Sequence, residues 1–152
     1  MTKHHIYWWN LENLFDIENS PRRSEFLNNH LGNELKGWDA TILNQKIANL
    51  TAIISKFNNG EGPDILGVCE VENEHVIELL ISAMGTALQK NYGFVISEGD
   101  DKRGIDTALI YDKTKYGPEQ LTFSLRIIKR NTTRDLFQVH INTANGNKLI
   151  CI

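Results

Sequence analysis

The segment PDILGVCEVEN, Pro63 to Asn73, constrains this chain more than any other. Ile65, Leu66, Val68 and Cys69 follow one another almost without polar interruption, the pattern of a strand covered on both faces rather than one half exposed to water. The strand is read as Asp64 to Cys69, and it delivers Glu70 to the end of a sheet. Asn73 stands where the cap of a following helix belongs. Open sheets with helical connections place their chemistry at strand ends, so Glu70 is the first candidate for holding a metal or moving a proton. The plain alternative is a solvated glutamate in a surface loop.

Upstream, His5 to Trp9 (HIYWW) reads as an aromatic and β-branched strand that ends at Asn10. An asparagine there most simply folds its side chain onto its own backbone as a turn former. The sharper reading makes Asn10 a partner of Glu70, which requires the two strands to be neighbours in one sheet. Residues 16 to 38 are polar and carry Pro21, Gly32 and Gly37, so they read as a long surface loop with one short helical turn around Phe26 to Leu31. Arg22 and Arg23 within it could meet phosphate, but a bare charge pair more simply faces solvent.

Asp39 reads as an N-cap, and Leu43, Ile47, Leu50, Ile54 and Phe57 then recur at the spacing of one helix face. Asn58-Asn59-Gly60 ends that helix, and Gly62-Pro63 launches the central strand. A second helix, Glu74 to Leu88, presents Ile77, Leu80, Ile81, Met84 and Leu88 on one side. Tyr92 to Ser97 and Asp106 to Tyr111 read as strands joined by a charged loop. Leu121 to Lys129 and Arg134 to Asn142 are longer strands, and Asn145-Gly146 signals a hairpin into Lys148 to Ile152. Strand, helix, strand, helix and then a run of hairpins is an α+β pattern: a mixed, largely antiparallel sheet with helices on one face.

At 152 residues this is one domain by size, able to bury a core without disulfides. Sixteen basic against nineteen acidic residues give a formal charge of -3, so no overall basic field advertises nucleic acid. Local contacts and a bound metal could still serve an anionic substrate. Cys69 and Cys151 sit in apolar runs as small hydrophobes, and no spacing for zinc occurs. No apolar leader or run of 18 apolar residues is present, which reads as a cytoplasmic protein without a membrane partner, with secretion left open. The sequence stops at Leu149-Ile150-Cys151-Ile152, inside an apolar strand. The antiparallel half then has an inner face with no second layer to cover it, so a fragment that self-associates through an open sheet is expected.

YWWNLENLFD, PDILGVCEVEN, RGIDTALIYD and RDLFQVHINTANGNKLICI, in this order and spacing, resemble the N-terminal half of the endonuclease/exonuclease/phosphatase superfamily. The resemblance implies a four-layered α/β sandwich of which residues 1–152 form the N-terminal part of one domain, truncated before its C-terminal catalytic motifs. It also implies a magnesium-dependent phosphoesterase, with manganese as an alternative, hydrolysing phosphodiester bonds of DNA, RNA or a smaller phosphodiester. In that family an asparagine ending the first strand and a glutamate ending the second help to bind the catalytic metal, and these fall on Asn10 and Glu70. Glu72 is the competitor and stands second. Arg103, Asp106 and Arg134 receive no transferable role. The later residues that orient the nucleophilic water have no counterpart here, so the chain by itself is expected to be inactive. The alternative is a binding or structural module that kept the fold without the chemistry.

Overall fold

The computed structural model describes residues 3–23, 25–31, 33–97, 106–125 and 136–152. Its elements run β1 (Ile6–Leu14), α1 (Glu25–Leu31), α2 (Ala40–Ile54), a 3₁₀ turn (Phe57–Gly60), β2 (Ile65–Val71), α3 (Glu74–Leu88), β3 (Tyr92–Ser97), β4 (Asp106–Asp112), β5 (Tyr116–Leu125), β6 (Leu136–Thr143) and β7 (Lys148–Cys151). Among the described residues one sheet has the order β1-β2-β4-β3 and a second has β5-β6-β7. β1 and β2 are parallel, and the remaining pairings are antiparallel.

Helix limits follow the local chemistry. Asp39 caps α2 by accepting from the amides of Thr41 and Ile42, and Asn73 caps α3 by accepting from Val76. Leu43, Ile47, Leu50 and Ile54 of α2 and Val76, Ile77, Leu80 and Met84 of α3 then bury one face of the first sheet. They pack with Leu66 and Val68 of β2 and with Ala108 and Ile110 of β4. The alternate residues Ile65, Leu109 and Tyr111 point the other way and pack against Tyr116, Val139 and Ile141 of the second sheet. The layers are therefore helices, sheet, sheet.

The second sheet corrects the expectation of an uncovered inner face. β4 lies between β2 and β3, so both its edges are already paired. After the turn at Lys113–Lys115 the chain cannot add to that sheet beside β4 and instead crosses to a new layer. That turn is fixed by Asp112, which accepts from the amide and hydroxyl of Thr114 at 2.9 and 2.6 Å.

The stretch before α2 departs from a plain surface loop. Phe15, Leu31 and Leu35 are buried together, with Leu27 and Trp38 against them, so this segment carries a small core of its own. Arg23 is buried within it rather than facing solvent, whereas Arg22 is half exposed and lies 3.6 Å from Asp16. Among the described residues no disulfide forms; Cys69 is buried and Cys151 half-buried.

Candidate functional site

Because β1 and β2 run in parallel, they end at the same edge. Asn10 lies in register with Cys69, one residue before Glu70. At this level both strands break their register, between Asn10 and Leu14 on β1 and between Cys69 and Val71 on β2. Glu70 adopts φ 64°, and Glu12 and Asn13 adopt 52° and 60°, all in the left-handed region. A non-glycine residue there costs roughly 1–2 kcal/mol, so the arrangement is held by its surroundings. The bulge also breaks the in-out alternation: Val71 joins Leu66 and Val68 in the helix-side core, and Glu70 is the extra residue left at the strand end.

The Asn10 carboxamide does what its turn-forming reading requires, its Oδ1 accepting from the Glu12 amide at 2.8 Å. A carbonyl oxygen has two lone pairs, so this bond orients the group without exhausting it. Asn10 is exposed and Glu70 half-buried.

Glu72 is occupied elsewhere. Its Oε1 accepts from Arg23 Nε at 2.8 Å and its Oε2 from Arg23 Nη2 at 2.7 Å, while the Asp16 amide donates to Oε2 at 2.8 Å. Arg23 also donates to the carbonyls of Glu18 and Asp16, both at 2.8 Å. With both side chains 1% exposed, the pair anchors the segment before α2 onto the end of β2. Burial works to raise the Asp16 carboxyl, but the Ser20 hydroxyl, the Ile17 amide and the nearby His75 and Arg22 outweigh it, and its pKa lies below the usual carboxylate value.

Sequence reasoning passed over Lys46. It stands on α2 between the buried Leu43 and Leu50, on the stripe that faces the sheet. Its Nζ donates to the carbonyls of Glu12 at 2.5 Å and Asn13 at 3.0 Å, and it lies 5.7 Å from the centroid of the Trp38 ring. Burial lowers its pKa, and the charges of Glu12 and Glu70 act in the opposite sense. A lysine inside an apolar helical stripe was the signal available in the sequence.

On the far side of β2, Val71 is in register with Asp106, the first residue of β4. Asp106 thus shares the sheet end with Asn10 and Glu70, while Arg103 and Arg134 lie outside the described residues. At the opposite end of β2, the buried Asp64 accepts from Lys115 Nζ at 2.6 Å and from the His5 amide at 2.8 Å. Lys90 lies 3.5 Å from the buried Asp112. These carboxylates join the start of β2 to the turn between the two sheets and lie at the opposite end of β2 from the strand-end group.

Among the described residues no group of three or more His, Cys, Asp or Glu side chains is gathered to hold a metal. What the ends of β1 and β2 offer is the Glu70 carboxylate and the Asn10 amide oxygen, hard donors of the kind magnesium accepts while keeping several waters.

No curated protein matches the chain. Two solved structures from Bacteroides thetaiotaomicron resemble it: an endonuclease/exonuclease/phosphatase family protein and a mannosyl-6-phosphatase, each 15% identical. The first gives a TM-score of 0.46, with 97% of this chain and 48% of the other covered. The second gives 0.48, with 97% and 49% covered. The chain therefore spans about half the length of these structures. Its sequence matches the endonuclease/exonuclease/phosphatase family over residues 5–149, nearly from end to end. The chain belongs to the endonuclease/exonuclease/phosphatase family.

Proposed function

We propose that this chain is the metal-holding part of a magnesium-dependent phosphoesterase, with Glu70 and Asn10 as its metal ligands and manganese as a substitute ion. The observation that supports this reading most directly is the paired break of β1 and β2, which leaves Glu70 in a left-handed conformation beside the strand end bearing Asn10. Strain of that kind at a strand end is retained where a side chain must be aimed. The full engagement of Glu72 by Arg23 and the Asp16 amide argues against Glu72 as the ligand.

Glu70 would contribute negative charge and Asn10 a neutral oxygen, already oriented by the Glu12 amide. When bound, the ion supplies positive charge to the non-bridging oxygens of a phosphoester and to the leaving group. The substrate we propose is a phosphodiester, of DNA, RNA or a smaller molecule. Two protein oxygens are a thin shell, so metal binding by the 152-residue chain is weak and its hydrolysis does not rise above background.

The test is Glu70→Gln in a form of the protein that hydrolyses a phosphodiester with magnesium. The rate should fall by orders of magnitude, with the thermal midpoint nearly unchanged. A rate within a few-fold of the parent sinks the assignment. Metal binding without hydrolysis of any phosphoester, by a chain joined to all the sequence that follows it, favours the non-catalytic module instead.

A further inference from the structure

We propose that Lys46 is a positioning residue for the candidate site: acting through the Glu12 backbone, it fixes the orientation of the Asn10 carboxamide. The inference rests on the metal-site reading for its purpose, but not for its geometry. Lys46 Nζ holds the Glu12 and Asn13 carbonyls, and the amide of the same Glu12 residue donates to Asn10 Oδ1 at 2.8 Å. A single residue in the left-handed conformation thus receives the helix's ammonium on one side and holds the exposed carboxamide on the other.

Two consecutive left-handed residues at the end of an edge strand have little in the ladder to hold them, since their register with β2 is interrupted from Asn10 to Leu14. The lysine supplies that restraint from a rigid element, the middle of a 15-residue helix packed on the sheet. Its stem lies between Leu43 and Leu50 along the buried stripe and its head reaches the strand end, as long amphipathic side chains do. The ammonium also feels the charge of Glu70, the other candidate ligand. Groups that orient metal ligands in this way commonly change metal affinity by 10–100-fold when removed.

The experiment uses the chain labelled with ¹⁵N-asparagine, whose side-chain signals remain readable in a dimer, with the Asn10 pair identified by its loss in Asn10→Asp. In Lys46→Met, which keeps the apolar stem, the Asn10 side-chain pair should move to the position of a freely rotating carboxamide, while the spread of the other asparagine signals is retained. Lys46→Arg, which keeps a charged donor, should restore it. An Asn10 pair unmoved by Lys46→Met overturns the proposal. Should Lys46→Met not fold, Lys46→Gln carries the same test with a polar head on a shorter stem.

Titration with Mn²⁺ alone gives a second readout with an opposed sign. Loss of orientation should weaken Mn²⁺ binding by about 10-fold in Lys46→Met, whereas removing a mere repelling cation would tighten it. Tighter binding therefore overturns the proposal. If the parent chain binds no Mn²⁺, the metal reading fails, and the Asn10 signal of the metal-free protein still decides the role of Lys46.

Discussion

Arg23 and Glu72, 49 residues apart in the chain, meet in a buried pair joined by two hydrogen bonds of 2.8 and 2.7 Å. Removing one member of such a pair leaves an uncompensated buried charge, a loss of about 3–5 kcal/mol. Arg23→Met should therefore destabilise the chain by that order, and Glu72→Gln by somewhat less because its amide oxygen still accepts. Chemical denaturation at neutral pH reads both. Variants as stable as the parent would show that the segment before α2 is held without the pair.

Glu70 is expected to behave in the opposite way. Its left-handed backbone costs roughly 1–2 kcal/mol, a penalty glycine does not carry, and glycine's greater freedom in the unfolded chain offsets part of the gain. Glu70→Gly should thus keep a thermal midpoint near that of the parent, the relieved strain offsetting the contacts the side chain gives up, while losing Mn²⁺ affinity. Mn²⁺ binding equal to the parent's would remove Glu70 from the ligand set.

Acid stability should depend on Asp64. Burial works to raise its carboxyl, but the Lys115 ammonium, the His5 amide and Lys90 outweigh that effect, so its folded pKa is depressed. A depressed carboxylate contributes stability that is complete above the unfolded value of about 3.9 and disappears as pH falls through the lower folded value. Asp64→Asn should lower stability at pH 7 and flatten the loss between about pH 4 and pH 2. Urea unfolding across that range measures the slope; an unchanged slope would remove Asp64 from the account.

Self-association is the expected behaviour of the chain in solution. Among the described residues β1 is an edge strand of one sheet and β7 of the other, and Ile6, Trp8, Ile150 and Ile152 on or beside them are 55%, 63%, 55% and 80% exposed. They line an apolar groove of about 670 Å³ between the sheets. Unpaired edges beside apolar surface favour pairing with another chain. A second copy of this chain is the proposed occupant, and sedimentation should report a dimer or larger. Trp8→Lys combined with Ile150→Lys should shift the distribution toward monomer. A parent chain that sediments as a monomer overturns the proposal.

The caps at Asp39 and Asn73, the α2 stripe and the hairpin at Asn145-Gly146 were legible because each depends on a few residues close in sequence. Family membership was legible for a related reason: four short motifs in order survive as linear text, and the match over residues 5–149 bears them out. The position of Glu70 after an apolar run also followed from local pattern.

Sequence alone offers little to separate Glu70 from Glu72, two carboxylates flanking one valine. The distinction comes from Arg23, which returns from a remote segment to occupy Glu72, and from a bulge that gives Glu70 a left-handed backbone. The partners of Lys46 were hidden for the same reason, since they are set by which strand its helix crosses. The second sheet exists because β2 and β3 take both edges of β4 before β5 arrives. Short-range propensity decides what each segment becomes, and only the three-dimensional pairing decides which charges are used up in holding the fold and which edges remain open.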